Sequence, residues 1–340
     1  MQPSQVICVG EMLVDRLSDR PGLPLEAVDS WTDYPGGAPA NVACACVKLG
    51  TPAGFVGCIG RDAPGNHLVE LLADIGVETT GVQRHENAPT RIVYVVRNET
   101  GDRHFAGFGG RSPCEFADAF LDAEDIPESP IRQAEFVVVG SLELAYPHSR
   151  TAVDRVLNLA ENDNTRILVD VNRRDMFWSD PGEALPRVRE LVNRADFLKL
   201  TSEEAKWLFD TTDPGTICDR LHRVRGVWVT LGERGCTYAI AGYQDRIRAF
   251  NVPVVDTTGA GDAFTAGLLH RLCQLGTREM DAEIAREIAR YASAVGALTV
   301  MKPGAIAAQP TATEVRDFLF DRSSGERGVE ETRGREATNH

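Results

Sequence analysis

The sequence predicts an α/β protein, with a mainly parallel central sheet covered by helices on both faces. Alternation is the first observation behind this. From Glu135 onward, apolar runs at Phe136 to Gly140, Arg166 to Val171, Phe197 to Leu200 and Val227 to Leu231 take turns with helix-period segments at Ser149 to Leu159, Glu183 to Val192, Glu203 to Phe209 and Thr216 to Val224. Continuity is the second: no internal repeat and no long linker interrupts the 340 residues. Composition is the third, since 43% hydrophobic residues suffice for a buried core.

Elements toward the N-terminus fit the same plan. Gln5 to Gly10 and Ala53 to Ile59 read as core strands, and His67 to Ile75 as a helix closed by Gly76. Thr90 to Arg97 and Arg103 to Phe108 flank the turn residues Asn98 to Asp102, which predicts a hairpin. Ala285 to Leu298 reads as a small-residue helix packed closely on its neighbours. From Arg322 to His340 almost nothing is apolar, and a disordered tail is expected.

Lys+Arg 36 against Asp+Glu 50 leaves a net charge of −14, which disfavours nucleic acid and anionic membrane as partners. The eight cysteines show no Cys-x-x-Cys spacing and mostly sit in apolar runs, as small buried hydrophobes of a reducing compartment do. With neither a leader nor a run long enough to span a membrane, a cytoplasmic location is expected.

Two stretches carry chemistry. The apolar run Phe250 to Val255 enters a loop of small and acidic residues, Asp256 to Asp262, and a helix-period segment with Phe264, Leu268 and Leu272 on one face leaves it. That order predicts strand, loop and helix N-terminus. The first amides of such a helix lack intrahelical partners, so those of Gly259, Ala260 and Gly261 can cradle an anion. Asp262 at the same turn can accept a hydroxyl proton, or simply favour the helix dipole. Far upstream, Gly36 and Gly37 allow close backbone approach, Pro39 suits a helix's first turn, and Asn41 follows with an amide that both donates and accepts. Asp15, just past the first strand, lies where open α/β sheets bind ligands, or caps a turn.

The run Asp256 to Phe264 resembles the C-terminal signature of the PfkB-type, ribokinase-like sugar kinases, and Gly36 to Ala43 resembles the N-terminal one in a spelling similar to that of fructokinases. The resemblance covers roughly residues 5 to 320. It implies a ribokinase-like three-layer core over residues 1–321, with a small β-sheet lid drawn from about 12–34 and 88–110. It also implies that Asp262 is the catalytic base, that Gly259, Ala260 and Gly261 form the anion hole, and that Asp15, Gly36, Gly37 and Asn41 hold the sugar. Arg111, Asn172 and Arg174 match residues facing sugar and phosphate, although Val171 replaces the proline usual in that segment.

By the same resemblance Glu204 helps organise Mg²⁺, with Thr201 in place of an asparagine; the Thr201/Glu204 spacing equally reads as a capping box. Thr230, Gly232 and Gly235 match a nucleotide loop, and Ser293 stands where an asparagine often meets adenine. Asp256, Thr258 and the Gly304 turn match a monovalent cation site, for K⁺. Implied together are ATP, a sugar and a kinase reaction, first of all on D-fructose. Ribose or 2-keto-3-deoxygluconate as acceptor, and a non-catalytic binding protein on the same fold, are the alternatives. A homodimer through lid strands is a further expectation. A nicotinamide site lacks its Gly-x-Gly-x-x-Gly turn, and a Walker-type site lacks any Gly-Lys pair.

Overall fold

The computed structural model describes residues 3–99, 103–275 and 279–322. Its strands are β1 (Val6–Val9), β2 (Leu13–Ser18), β3 (Trp31–Gly36), β4 (Ala53–Gly60), β5 (Glu78–His85), β6 (Ile92–Arg97), β7 (Arg103–Gly107), β8 (Phe136–Val139), β9 (Arg166–Asp170), β10 (Phe197–Thr201), β11 (Gly226–Thr230), β12 (Cys236–Ile240) and β13 (Tyr243–Ile247). The helices are α1 (Ala38–Lys48), α2 (Ala63–Ile75), α3 (Glu128–Gln133), α4 (Pro147–Asn162), α5 (Pro181–Val192), α6 (Ser202–Phe209), α7 (Pro214–Arg220), α8 (Ala260–Leu275) and α9 (Ala282–Thr299), and residues 312–322 are helical.

Nine strands form one sheet in the order β13-β12-β11-β10-β9-β8-β1-β4-β5. Pairing is parallel from β5 to β11 and antiparallel for β12 and β13. Strand side chains alternate between two cores, as the period of two requires. Val6, Cys8, Phe136, Val138 and Leu168 face α1, α8 and α9, while Ile7, Val9, Val137, Val139 and Val169 face α4 and α5. Four strands form a second sheet in the order β3-β2-β6-β7, over a small cluster of Leu13, Val93, Phe108, Phe116 and Phe177. The expected hairpin is its β6–β7 pair, and β2 joins β6 in parallel.

Several expectations need correction. Phe250 to Val255 is not a strand: the sheet ends at β13, and Val254 and Val255 are each 62% exposed. Pro253, lacking an amide donor, breaks any ladder there. The helix expected to reach Val224 stops at Arg220, with Leu221 already extended. Strands β5, β12 and β13 lie outside the sequence expectation: β5 and β13 are mostly not buried, all of β13 but Ile247 being exposed, whereas β12 is buried apart from Thr237. Of the tail expected from 322 onward, Arg322 is helical, and the rest lies outside the described residues.

Candidate active site

The two glycine stretches, more than two hundred residues apart, meet. Each ends in the N-terminus of a helix, α1 or α8, and these two helices pack against one another. Asn41 Nδ2 donates to Asp262 Oδ2 at 2.8 Å. Asn41 is almost fully buried, and its Oδ1 has no protein donor among the described residues, which leaves an acceptor for a ligand. Asp262 is half-buried. Burial pushes its carboxyl above the ordinary range and Asp170 adds to this, while the Asn41 bond and the charges of Lys199 and Arg174 pull the other way. An aspartate held upward in this manner is a better proton acceptor at neutral pH than an exposed one.

Backbone geometry explains the glycines. Gly37 has φ +104°, and a Cβ on it would stand 2.5 Å from the Glu11 carbonyl oxygen. Gly259 has φ +76° and packs against Ala305, whose Cβ would lie 2.7 Å from an added methyl. Asp15 on β2 closes the other side of the Gly36 turn, its Oδ2 being 2.6 Å from where a Gly36 Cβ would stand.

A late segment locks both helix starts. Gly304 N donates to Asp256 Oδ2 at 2.9 Å, Ala305 backs Gly259, and Gln309 Nε2 donates to the Asn41 carbonyl at 2.8 Å. Asp256 Oδ1 accepts from Thr258 N at 3.0 Å and from Thr258 Oγ1 at 2.7 Å, so Asp256, Thr258 and the Gly304 turn do converge.

Other expected residues separate into near and far. Asn172 adopts φ +41° at the end of β9, and Arg174 is exposed, though close enough for Asp262 to feel its charge. Arg111 is exposed beyond the small sheet, with no side-chain contact that joins it to this cluster among the described residues. Glu204 forms the full capping box: Oε2 accepts from Thr201 N at 2.7 Å, and Oε1 accepts from Arg173 N at 2.7 Å. Thr230 Oγ1 donates to the Leu200 carbonyl, and Gly232 and Gly235 shape the β11–β12 turn with positive φ. Ser293 Oγ donates to Ala289 O at 2.8 Å and lies 3.6 Å from Cys236 Sγ.

Sequence reasoning missed the charged groups beneath these turns. Lys199 and Asp170, both nearly buried, pair at 3.0 and 3.1 Å. Glu11 accepts from Ala38 N at 2.8 Å and faces Glu143, which is buried without a protein donor among the described residues. Burial pushes Glu11 up to about 7 against the pull of its backbone amide bonds, with Asp118 and Asp262 adding to the rise, while burial and then Glu11 and Asp118 hold Glu143 well above its ordinary range. Arg91, fully buried, holds β6 to the core through Asp118 at 2.6 and 2.8 Å and Tyr146 at 3.0 Å. An ionisable residue inside an otherwise apolar run, as Lys199 is in Phe197 to Leu200, was the available signal.

Known proteins share this sequence and this fold. The profile described as pfkB family carbohydrate kinase matches residues 3–312. A probable fructokinase-3 from Arabidopsis thaliana is 34% identical over 319 residues, covering 93% of this chain and 91% of that protein. A fructokinase from Xylella fastidiosa, solved with bound ATP, superposes with a TM-score of 0.82 at 28% identity, over 94% of this chain and 98% of that one. A double-mutant fructokinase from Vibrio cholerae O395, in fructose, ADP and potassium ion bound form, superposes with a TM-score of 0.80 at 28% identity, over 94% and 100% of the two chains.

Proposed function

The chain belongs to the pfkB family of carbohydrate kinases, and from that premise we propose that it transfers the γ-phosphoryl group of ATP to D-fructose, giving D-fructose 6-phosphate and ADP. The observation that carries this reading is the Asn41–Asp262 hydrogen bond, which joins a polar side chain at one glycine-entered helix start to a carboxylate at another. Asp15, Gly36, Gly37 and Asn41 hold the sugar. Asp262 takes the proton of its primary hydroxyl as that oxygen attacks phosphorus. The amides of Gly259 and Gly261 face the charge that spreads over the transferred group, and the Ala260 amide, which donates to the Thr257 carbonyl at 3.3 Å, would turn to it on binding. Thr230, Gly232, Gly235 and Ser293 line the nucleotide side, and Asn172 and Arg174 bring polar contacts and positive charge to the mouth, which Arg111 would reach only by a movement of the small sheet. The small sheet then serves as a lid that excludes water, which would compete as acceptor.

Mg²⁺ accompanies the nucleotide in this reading, as it does in phosphoryl transfer generally. Both Glu204 oxygens already accept backbone amides, so the carboxylate does not fit as a direct ligand; the phosphates and water would hold the ion. Both Asp256 oxygens likewise accept backbone amides, from Thr258 and Gly304, so a monovalent cation at Asp256, Thr258 and the Gly304 turn would be held mainly through backbone carbonyls that the Asp256 carboxylate sets in place; the Vibrio protein's structure contains potassium. A cytoplasmic location, and a homodimer formed through the small sheet's edge strands, complete the proposal. The test is ATP consumption with fructose, ribose, glucose, 2-keto-3-deoxygluconate and adenosine in turn. Fructose is expected to give the highest kcat/KM, and a higher value for any other acceptor rejects it as the substrate.

A further inference from the structure

We propose that Lys199 and Asp170 are positioning residues for the reaction: buried beneath the anion loop, they hold the Gly261–Asp262 turn in place and set a fixed balance of charge behind it. The inference rests on the reading of Asp262 as the base. Lys199 and Asp170 are register partners on neighbouring parallel strands, and both point toward α8. The ammonium lies 3.0 Å from where a Cβ on Gly261 would stand, directly under the loop. Thr265, one turn into α8, donates to Asp170 Oδ2 at 2.7 Å and lies 3.1 Å from the Gly261 carbonyl oxygen. Strand ends, ion pair and helix start thus form one connected unit.

A buried ion pair is weak evidence for stability alone, because desolvation opposes it. Its position gives it another use. A cation next to a helix N-terminus opposes the dipole unless an anion is expected there. Burial by itself would depress the Lys199 ammonium, but Asp170, Glu204 and Asp262 outweigh that and keep it charged. Groups facing Asp262 come from several elements: Asn41 on α1, Asp170 on β9, Lys199 on β10 and Arg174 after β9, with Glu11 also within electrostatic reach. Asp170 raises the proton affinity of Asp262 and Lys199 lowers it, so the pair brackets the base.

Opposed signs make the test. Asp170→Asn removes the charge that raises Asp262, and the acid limb of kcat/KM for fructose is expected to move down by roughly one pH unit. Adding Lys199→Met on that background removes the charge that lowers it, and the limb moves back up. In both variants kcat falls roughly tenfold or more while the fructose KM stays within about threefold, since neither side chain touches the sugar. A limb that stays put or rises in Asp170→Asn, or a double variant that titrates with the single one, overturns the proposal even where Tm falls. If Asp170→Asn does not fold, the double variant, which leaves no unpaired charge, decides by kcat alone, and a wild-type value refutes the role. Asp262→Asn is measured in parallel. Retained turnover there removes the base reading itself, whereas lost turnover with unmoved limbs removes only this inference.

Discussion

The starts of α1 and α8 share a backbone design and differ in what lies beneath. Each is entered through a glycine with positive φ, Gly37 or Gly259, that no side chain could replace without collision. Under α1 the protein supplies its own carboxylate, Glu11 accepting from Ala38 N, so that helix's dipole is already used. Under α8 it supplies an ammonium, Lys199, and the loop is left attractive to an anion. In the proposed function the same turn would serve as a neutral, hydroxyl-binding wall in one place and as a phosphate cradle in the other. Buried charge, rather than loop shape, separates the two functions.

The largest way to break this comparison is Asp262→Asn. Turnover is expected to fall roughly 10²- to 10⁴-fold with nucleotide binding intact, as for loss of a general base; calorimetric ATP titration beside steady-state assays checks it. Next comes Asn41→Ala, which removes the bond between the two helix starts. kcat/KM for the sugar should drop about ten- to a hundredfold, as for a hydrogen bond to a charged partner. Because that bond lowers the Asp262 pKa, the acid limb of the pH profile should rise, and a falling limb would contradict the assignment.

Gly37→Ala and Gly261→Ala sharpen the contrast between backbone and charge. An alanine at 37 meets backbone at 2.5 and 2.8 Å with φ +104°, so a loss of about 1–3 kcal/mol is expected, read as a lower Tm. An alanine at 261 meets only the end of Lys199 at 3.0 Å, so Tm should hold while kcat falls. Equal Tm losses would erase the distinction. The smallest effect is on stability. Glu11 titrates near 7 in the fold against an ordinary 4.5, so the folded chain keeps a proton that the unfolded chain has released. Its stabilising contribution is complete below about 4.5 and is lost as pH rises through about 7. Glu143, also held upward by burial, adds to that decline, so Glu143→Gln should flatten it, narrowing the Tm difference between about pH 5 and pH 9 by roughly 2–4 °C; a wild-type slope would rule the Glu143 contribution out.

Much of this could be read from sequence because it depends on local rules. The β-α alternation after Glu135 gave strands and helices close to those observed, and Gly76 closes α2 in a left-handed cap as expected. Asn41 and Asp262 were chosen for their chemistry at helix starts, and they meet at 2.8 Å. Phe250 to Val255 misled because apolar composition resembles a strand whether or not a neighbour exists to pair with it. Lys199, Asp170, Glu11 and Glu143 escaped for the opposite reason. Each is one polar residue in or beside an apolar run, and its meaning arises only when separate strands and turns bring the partners together.

The segment from Gly304 to Gln309 has a consequence for biosynthesis. It reaches back to Asp256, Gly259 and Asn41, adding a second tie to the Asn41–Asp262 bond that joins the two helix starts. A nascent chain halted before Gln309 would carry the acid, the glycines and the ion pair, yet lack the strut that braces them. Phosphoryl transfer should therefore switch on near the end of translation, and truncated fragments should be silent rather than unregulated.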